Sequence, residues 1–272
     1  MRTEFETLKV DVADGVADIV LDRPEQRNAM SHQMEADIDL ALDEAETDKS
    51  IRATTLRGAG KIFSAGHDLK EEFFGKKFSS VPDPDLVPSR APHLPRAWYF
   101  RKPLIAGVHG YLGPAAFSLV SCADFIIAAE GTRFSLEVFK GVAPSYRWLP
   151  LYQQLPMRVI EKLFLLGGWM DAEEALQFQF VQRVVPLEQL EAETKRWARN
   201  CANVPNFASA KWGIRRVYEI MGTSWMLQLD PFVKKTPPAT EETPFAKTLR
   251  EKGMAAAVAE RDAMFDDDVT KV

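Results

Sequence analysis

Two stretches decide how this chain folds: Ser64-Ala65-Gly66-His67-Asp68-Leu69 and His109-Gly110-Tyr111-Leu112-Gly113-Pro114-Ala115-Ala116-Phe117. The first follows the apolar run Ile51 to Leu56, the second the apolar run Pro103 to Val108. Each reads as a strand, a glycine turn and the start of a helix. Two such turns side by side aim backbone N–H groups at one point. That is how a chain builds an oxyanion hole, a donor pair that stabilises negative charge on an oxygen. Taken alone, each is also an ordinary strand-to-helix connection.

The segments around them read in the same way. Leu8 to Val12 and Val16 to Leu21 alternate apolar and polar residues across Ala13-Asp14-Gly15, which predicts a β-hairpin. Arg23 to Ala29 is a polar loop with a proline, and Ser31 is an N-cap ahead of a helix to about Thr47, with Glu35 near its start. Met34, Ile38, Leu42 and Ala45 fall on one face of that helix. Phe73 to Arg90 breaks the alternation and reads as a long connection. Ala91 to Phe100 predicts a helix, and Thr132 to Phe134 a short strand. Beyond Pro150 the chain reads as mostly helical: 157–166, 171–179, 187–202, 208–221 and 245–264, with Thr236 to Thr243 as a loop. Alternating strands and helices predict an α/β protein of repeated ββα units around a mixed sheet.

Bulk properties narrow the function classes. With 272 residues, 46% of them hydrophobic and 27% charged, the chain can bury a large core like an ordinary globular protein. A net charge of −5 argues against a nucleic-acid surface. Two cysteines, Cys122 and Cys201, cannot make a disulfide scaffold or a zinc-finger cluster, and they suit a reducing compartment. Four histidines without ligand spacing give no metal site. Met1 to Glu6 has no signal-peptide or transit character, and Pro103 to Val108 is too short to span a bilayer. The expectation is a cytoplasmic protein with no membrane partner.

Four stretches taken together resemble one family. They are Leu21-Asp22-Arg23-Pro24-Glu25-Gln26-Arg27-Asn28-Ala29-Met30-Ser31, Phe63 to Leu69, Pro103 to Gly113, and Cys122 to Phe134. Their order is similar to that of the crotonase superfamily, the enoyl-CoA hydratase/isomerase family, from about Val10 to at least Val185. The resemblance implies a crotonase-like spiral of ββα units over 1–200. A helical C-terminal region over 201–272 then takes part in trimerisation. It also implies an acyl-CoA substrate, with coenzyme A as part of that substrate and no separate cofactor, in a homotrimer or a dimer of trimers.

The resemblance assigns the N–H groups of His67 and Ala115 as oxyanion donors for a thioester enolate. Members usually carry three glycines where this chain has Pro114-Ala115-Ala116. Proline suits the first helical position, and Ala115 then presents its N–H at the positive end of the helix. The His67 side chain is expected to flank the pocket mouth or to pack on the adenine of CoA. Arg27, Ala29, Ala65, Asp68, Leu69, Tyr146 and Trp148 are the expected substrate-binding residues, with Arg27 and Lys70 as phosphate partners.

Hydration of an enoyl thioester needs a carboxylate beside the reacting carbons. Hydratases of this family use two glutamates. The position of the first is Ser118 here. Counting back from Gly141 and Pro144 makes the second Glu137, the candidate general acid/base, whereas counting forward from Phe134 gives Val138. Apolar neighbours such as Val138 and Phe139 are expected around that carboxylate. One glutamate and a serine resemble the hydroxycinnamoyl-CoA hydratase-lyase branch, which hydrates and then cleaves its substrate. Phe73, Phe74, Trp98, Tyr99 and Phe139 join Tyr146 and Trp148 as aromatics for a large acyl pocket. A thioester or β-diketone hydrolase and a catalytically inactive acyl-CoA-binding homologue are the alternatives on the same scaffold.

Overall fold

The computed structural model describes residues 1–69, 71, 93–140, 151–222 and 244–272. Strands β1 (Leu8–Ala13) and β2 (Val16–Leu21) form the expected antiparallel hairpin across Asp14 and Gly15, both at positive φ. An Asp-Gly pair in that conformation matches the twist of a hairpin. β1 is an edge strand whose Lys9 and Asp11 face solvent, which discourages pairing with another chain. Helix α1 (His32–Thr47) starts at Ser31, whose hydroxyl accepts from the Met34 N–H at 3.2 Å. Met34, Ile38, Ala41, Leu42 and Ala45 are buried at helical spacing. Burying a side chain the size of Met, Ile or Leu contributes about 1.5–3 kcal/mol, so this stripe fixes α1 against the sheet.

The main sheet runs β1-β2-β3-β4-β6-β9, with β3 at Ala53–Gly58, β4 at Leu104–Val108, β6 at Phe125–Ala129 and β9 at Arg183–Val185. Every pairing after the hairpin is parallel. β2, β3 and β4 are buried almost throughout, as strands covered on both faces must be. Helix α2 (His93–Trp98) precedes β4. A second sheet, β5-β7-β8, holds Tyr111–Leu112, Arg133–Ser135 and Trp169–Asp171. β4 passes into β5 and then into helix α3 (Pro114–Ser121), and β6 passes into β7 in the same way. This is the mixed α/β arrangement of strand–strand–helix units that the alternation predicts.

Some boundaries differ from the sequence reading. The strand expected over Ile51 to Leu56 runs on through Arg57, whose guanidinium bonds both oxygens of Asp18 on β2 at 3.0 and 2.6 Å. Burial pushes the Asp18 carboxyl up, but bonds from Arg57, Thr55 and Lys195 outweigh it and hold the group below the usual range. The paired charges let a strand contain an arginine. Strands β5, β6, β8 and β9 are additions to the sequence reading, and β8 takes Asp171 from the start of the helix expected over 171–179.

The second half is helical as expected: α4 (Leu151–Gln154), α5 (Met157–Leu165), α6 (Ala172–Gln177), α7 (Leu190–Ala202), α8 (Phe207–Ile220), α9 (Pro244–Lys252), α10 (Met254–Asp262) and α11 (Asp267–Thr270). Lys211 and Arg215 of α8 reach Asp124, just beyond α3, at 2.7 and 3.2 Å, and Arg215 also bonds the Cys122 carbonyl at 3.0 Å. All three charged residues are largely buried, so losing one partner would strand the others. Residues 73–90, 141–150 and 236–243 lie outside the described residues.

Candidate active site

The two turns of the sequence lie against each other. Phe63 N–H donates to the His109 carbonyl at 2.9 Å, Ser64 N–H to Tyr111 at 3.3 Å, and Gly113 N–H to Ser64 at 2.9 Å. Gly66 sits at φ +90°, and a Cβ there would lie 3.2 Å from the Gly113 carbonyl carbon and from the Pro114 nitrogen. A Cβ on Gly113 would lie 2.0 Å from the Ala65 carbonyl oxygen. These glycines allow the two backbones to touch.

On its other side the first turn runs beside Arg27 to Met30. Ala65 N–H donates to the Arg27 carbonyl at 2.9 Å, Met30 N–H to Gly66 at 2.8 Å, and Asp68 N–H to Met30 at 2.9 Å. Met30 and His67 are thus a parallel pair. The bonded groups belong to Gly66 and Asp68, so the N–H and C=O of His67 face away from Met30. In the second turn Gly113 is the N-cap of α3 and Pro114 its first residue, as expected. The first intrahelical bond runs from Phe117 N–H to the Gly113 carbonyl at 2.9 Å. It leaves the Ala115 and Ala116 N–H groups without an intrahelical acceptor, at the positive end of the helix. Ser118 follows Ala115 by three residues, so the two share a helical face. It is 1% exposed, and among the described residues its hydroxyl has no hydrogen-bond partner.

Glu137 opens a 3₁₀ turn, Glu137–Lys140, after β7, and is 8% exposed. Its carboxylate accepts from Arg133 Nη2 at 2.9 Å and Ser135 Oγ at 2.8 Å, with Lys140 Nζ at 3.4 Å. Ser135 Oγ also accepts from the Tyr111 hydroxyl at 3.2 Å. Arg133 stacks 3.6 Å above the Trp169 ring and reaches Asp267 at 3.4 Å. The expected apolar surroundings are therefore corrected: among the described residues the carboxylate lies among cations and hydroxyls. It follows the short strand β7 so closely that Arg133 and Ser135 fall on its own side. Val138 is half-buried.

The His67 side chain reaches toward α1. Its Nδ1 lies 3.4 Å from the Glu35 carboxylate on α1, and Glu35 is 6% exposed. Arg27 is exposed, whereas Ala29, Ala65, Asp68 and Leu69 are half-buried. Arg23 Nη1 ties two of these together, reaching the Ala29 carbonyl at 2.7 Å and Asp68 at 3.3 Å. Trp98 belongs to the core, under Arg215 and edge-on to Tyr218, while Tyr99 is exposed. Lys70, Phe73, Phe74, Tyr146 and Trp148 lie outside the described residues, as does the side chain of Phe139. Among the described residues no cluster could hold a metal ion. Sequence reasoning placed neither Glu35 beside His67 nor Asn28 beside the chain that leads into the first turn. For Asn28 the available signal was an asparagine just before the short apolar pair Ala29-Met30, where a buried polar residue needs partners.

A family model described as enoyl-CoA hydratase/isomerase matches residues 11–267. The carnitinyl-CoA dehydratase of Salmonella typhi is 33% identical over 210 residues, covering 75% of this chain and 76% of that protein. Its Escherichia coli counterpart (strain ATCC 8739) is 32% identical over 216 residues, covering 78% and 80%. The crystal structure of an enoyl-CoA hydratase/isomerase from Xanthobacter autotrophicus Py2 superposes with a TM-score of 0.81 at 28% identity, covering 97% of this chain and all of that one.

Proposed function

The chain belongs to the enoyl-CoA hydratase/isomerase family, and from that premise we propose that it hydrates an enoyl-CoA, or hydrates and then cleaves it, by holding the thioester enolate on two main-chain donors, His67 N–H and Ala115 N–H. The observation that carries this reading is the contact of Gly66 with Gly113 and Pro114, which draws the two turns together. The orientation of His67 away from Met30 and the helix-end position of Ala115 support it.

In this reading water oxygen bonds the β-carbon while the double-bond electrons move onto the thioester oxygen, and a proton then adds at the α-carbon. Glu137 takes the proton from water and returns one to carbon. To do so it exchanges its Arg133 contact, and Arg133 keeps Asp267 and Trp169 as partners. Ser118, with its unpartnered hydroxyl on the face of Ala115, orders water or substrate. In a hydratase-lyase Glu137 then takes the β-hydroxyl proton, the bond between the α- and β-carbons breaks to release an aldehyde, and the enolate held by the same two N–H groups takes the proton back at its α-carbon and leaves as the shortened acyl-CoA. Arg27, Ala29, Ala65, Asp68, Leu69, Tyr146 and Trp148 contact the acyl-CoA, and no further cofactor is needed. The name of the carnitinyl-CoA dehydratase relatives describes loss of water from an acyl-CoA, the reverse of such an addition. The assembly in this reading is a homotrimer or a dimer of trimers, which the exposed Trp212, Val217 and Ile220 of α8 support. A monomer by light scattering would contradict it.

One observation favours a second reading. The pairing of His67 with the buried Glu35 resembles a base oriented by a carboxylate. In a thioester hydrolase His67 would take the proton of a water attacking the carbonyl, and CoA would leave as the thiol. Kinetics of two variants separate the readings. Under the first, Glu137→Gln keeps CoA binding and loses about 10²–10⁴-fold in turnover, while His67→Ala stays active because its donor is main chain. Under the second the two results exchange. An acyl-CoA-binding protein without activity would bind CoA and turn nothing over before any mutation.

A further inference from the structure

We propose that Asn28 is a positioning residue for the oxyanion turn, acting through the backbone of residues 59–66 without touching the substrate; the proposal rests on the oxyanion reading above. Asn28 has no exposed surface, and a buried carboxamide is tolerated only when its polar atoms are partnered. Its Nδ2 donates to the carbonyls of Ala59 at 2.7 Å, Ile62 at 3.1 Å and Phe63 at 3.0 Å. Its Oδ1 accepts from the Arg23 N–H at 2.9 Å. The main-chain carbonyl of Asn28 accepts from Ser64 Oγ at 2.7 Å, and that same Oγ accepts from the Gly66 N–H at 3.1 Å.

These bonds converge on the piece of chain between the end of β3 and Gly66. The chain from His109 to Gly113, which contains β5, pins the opposite side of that piece, at Phe63 and Ser64. Asn28 therefore supplies the inner half of a clamp. The left-handed backbone at Arg27 (φ 53°) and Asn28 (φ 50°) turns the carboxamide inward, a conformation that asparagine accepts more readily than most residues. Three carbonyls held by one amide fix where the turn leaves Phe63, and the relay through Ser64 carries that constraint to the residue before His67. A loosened clamp leaves the fold in place and lets the His67 N–H drift from the oxygen it must meet, and a misplaced donor weakens transition-state binding more than ground-state binding.

The test uses the full-length protein and cinnamoyl-CoA, a conjugated thioester whose absorbance moves to the red when donors polarise its carbonyl oxygen. Parent protein should shift the spectrum. Asn28→Asp keeps the shape but turns lone pairs toward three carbonyls. It should lose most of the shift and about 10²-fold in kcat, with KM essentially unchanged. Its shift should partly return as falling pH protonates the new carboxyl and restores one donor. Ser64→Ala, a milder change, should lose part of the shift and about tenfold in kcat, the worth of roughly one hydrogen bond. Circular dichroism checks that each variant is folded, and if Asn28→Asp is not, Ser64→Ala carries the test. A parent-like shift and kcat in either folded variant overturns the proposal. A parent protein that does not shift the spectrum overturns the oxyanion reading itself, and the proposal with it.

Discussion

Asp39 lies one turn beyond Glu35 on the same side of α1. Burial, then the neighbouring Asp43, pushes its carboxyl up to about 6, with Arg96 opposing and Glu35 adding to the rise. One of its oxygens is buried without a partner among the described residues. In the unfolded chain this group titrates at its ordinary 3.8, so between that value and about 6 the folded state holds the extra proton. Stability therefore falls as pH rises through this window. Asp39→Asn should melt above the parent at neutral pH and lose that advantage in acid below the ordinary aspartate value; equal gains at both would refute the assignment. The same helix shows where the sequence stops being legible. Ser31 and the apolar stripe of α1 follow from local spacing alone. Glu35 reads from sequence as a helix-start acid, because only the packing of His67 over α1 turns it into a buried partner. Asn28 was in view as part of a motif, but its role depends on three carbonyls from a segment more than 30 positions along the chain.

Among elements, the pair of glycine turns was the most legible, since a strand, a glycine and a helix start leave few other conformations. Pro114 at the first helical position and Ala115 at the second follow from proline's missing N–H, and the structure agrees. Their mutual contact could not be read, because it depends on how β5 lies beside Phe63 and Ser64. That contact yields a sharp test. With 2.0 Å between a Cβ at Gly113 and the main-chain oxygen of Ala65, which no side-chain rotation can move, Gly113→Ala must part the two turns. The variant should lose stability by an overpacking cost of about 1–3 kcal/mol, and turnover well beyond what that loss explains. Normal turnover would mean that the two turns do not work as a unit. Glu137 illustrates the opposite case. The anchors on its two sides differ by one residue, Gly141 and Pro144 giving Glu137 and Phe134 giving Val138. The bonds from Arg133, Ser135 and Lys140 involve partners within four residues, yet no periodicity announces them.

At the scale of the whole molecule, motif order made the α/β architecture legible, and the match over residues 11–267 agrees with it. The way α8 reaches back to Asp124 was not legible, since a lysine and an arginine on a helix usually read as solvated charges. Among the described residues no helix is long and apolar enough to cross a membrane. We propose above that this scaffold stabilises a thioester enolate and adds water at carbon. The most direct measurement is turnover of a panel of aliphatic and aromatic enoyl-CoAs in heavy-oxygen water, with mass detection of every product. Enolate chemistry with addition of water puts the label at the β-carbon of an intact acyl-CoA, or in an aldehyde released together with acetyl-CoA. Label in a free carboxylic acid with stoichiometric release of CoA would contradict it and point to hydrolysis at His67.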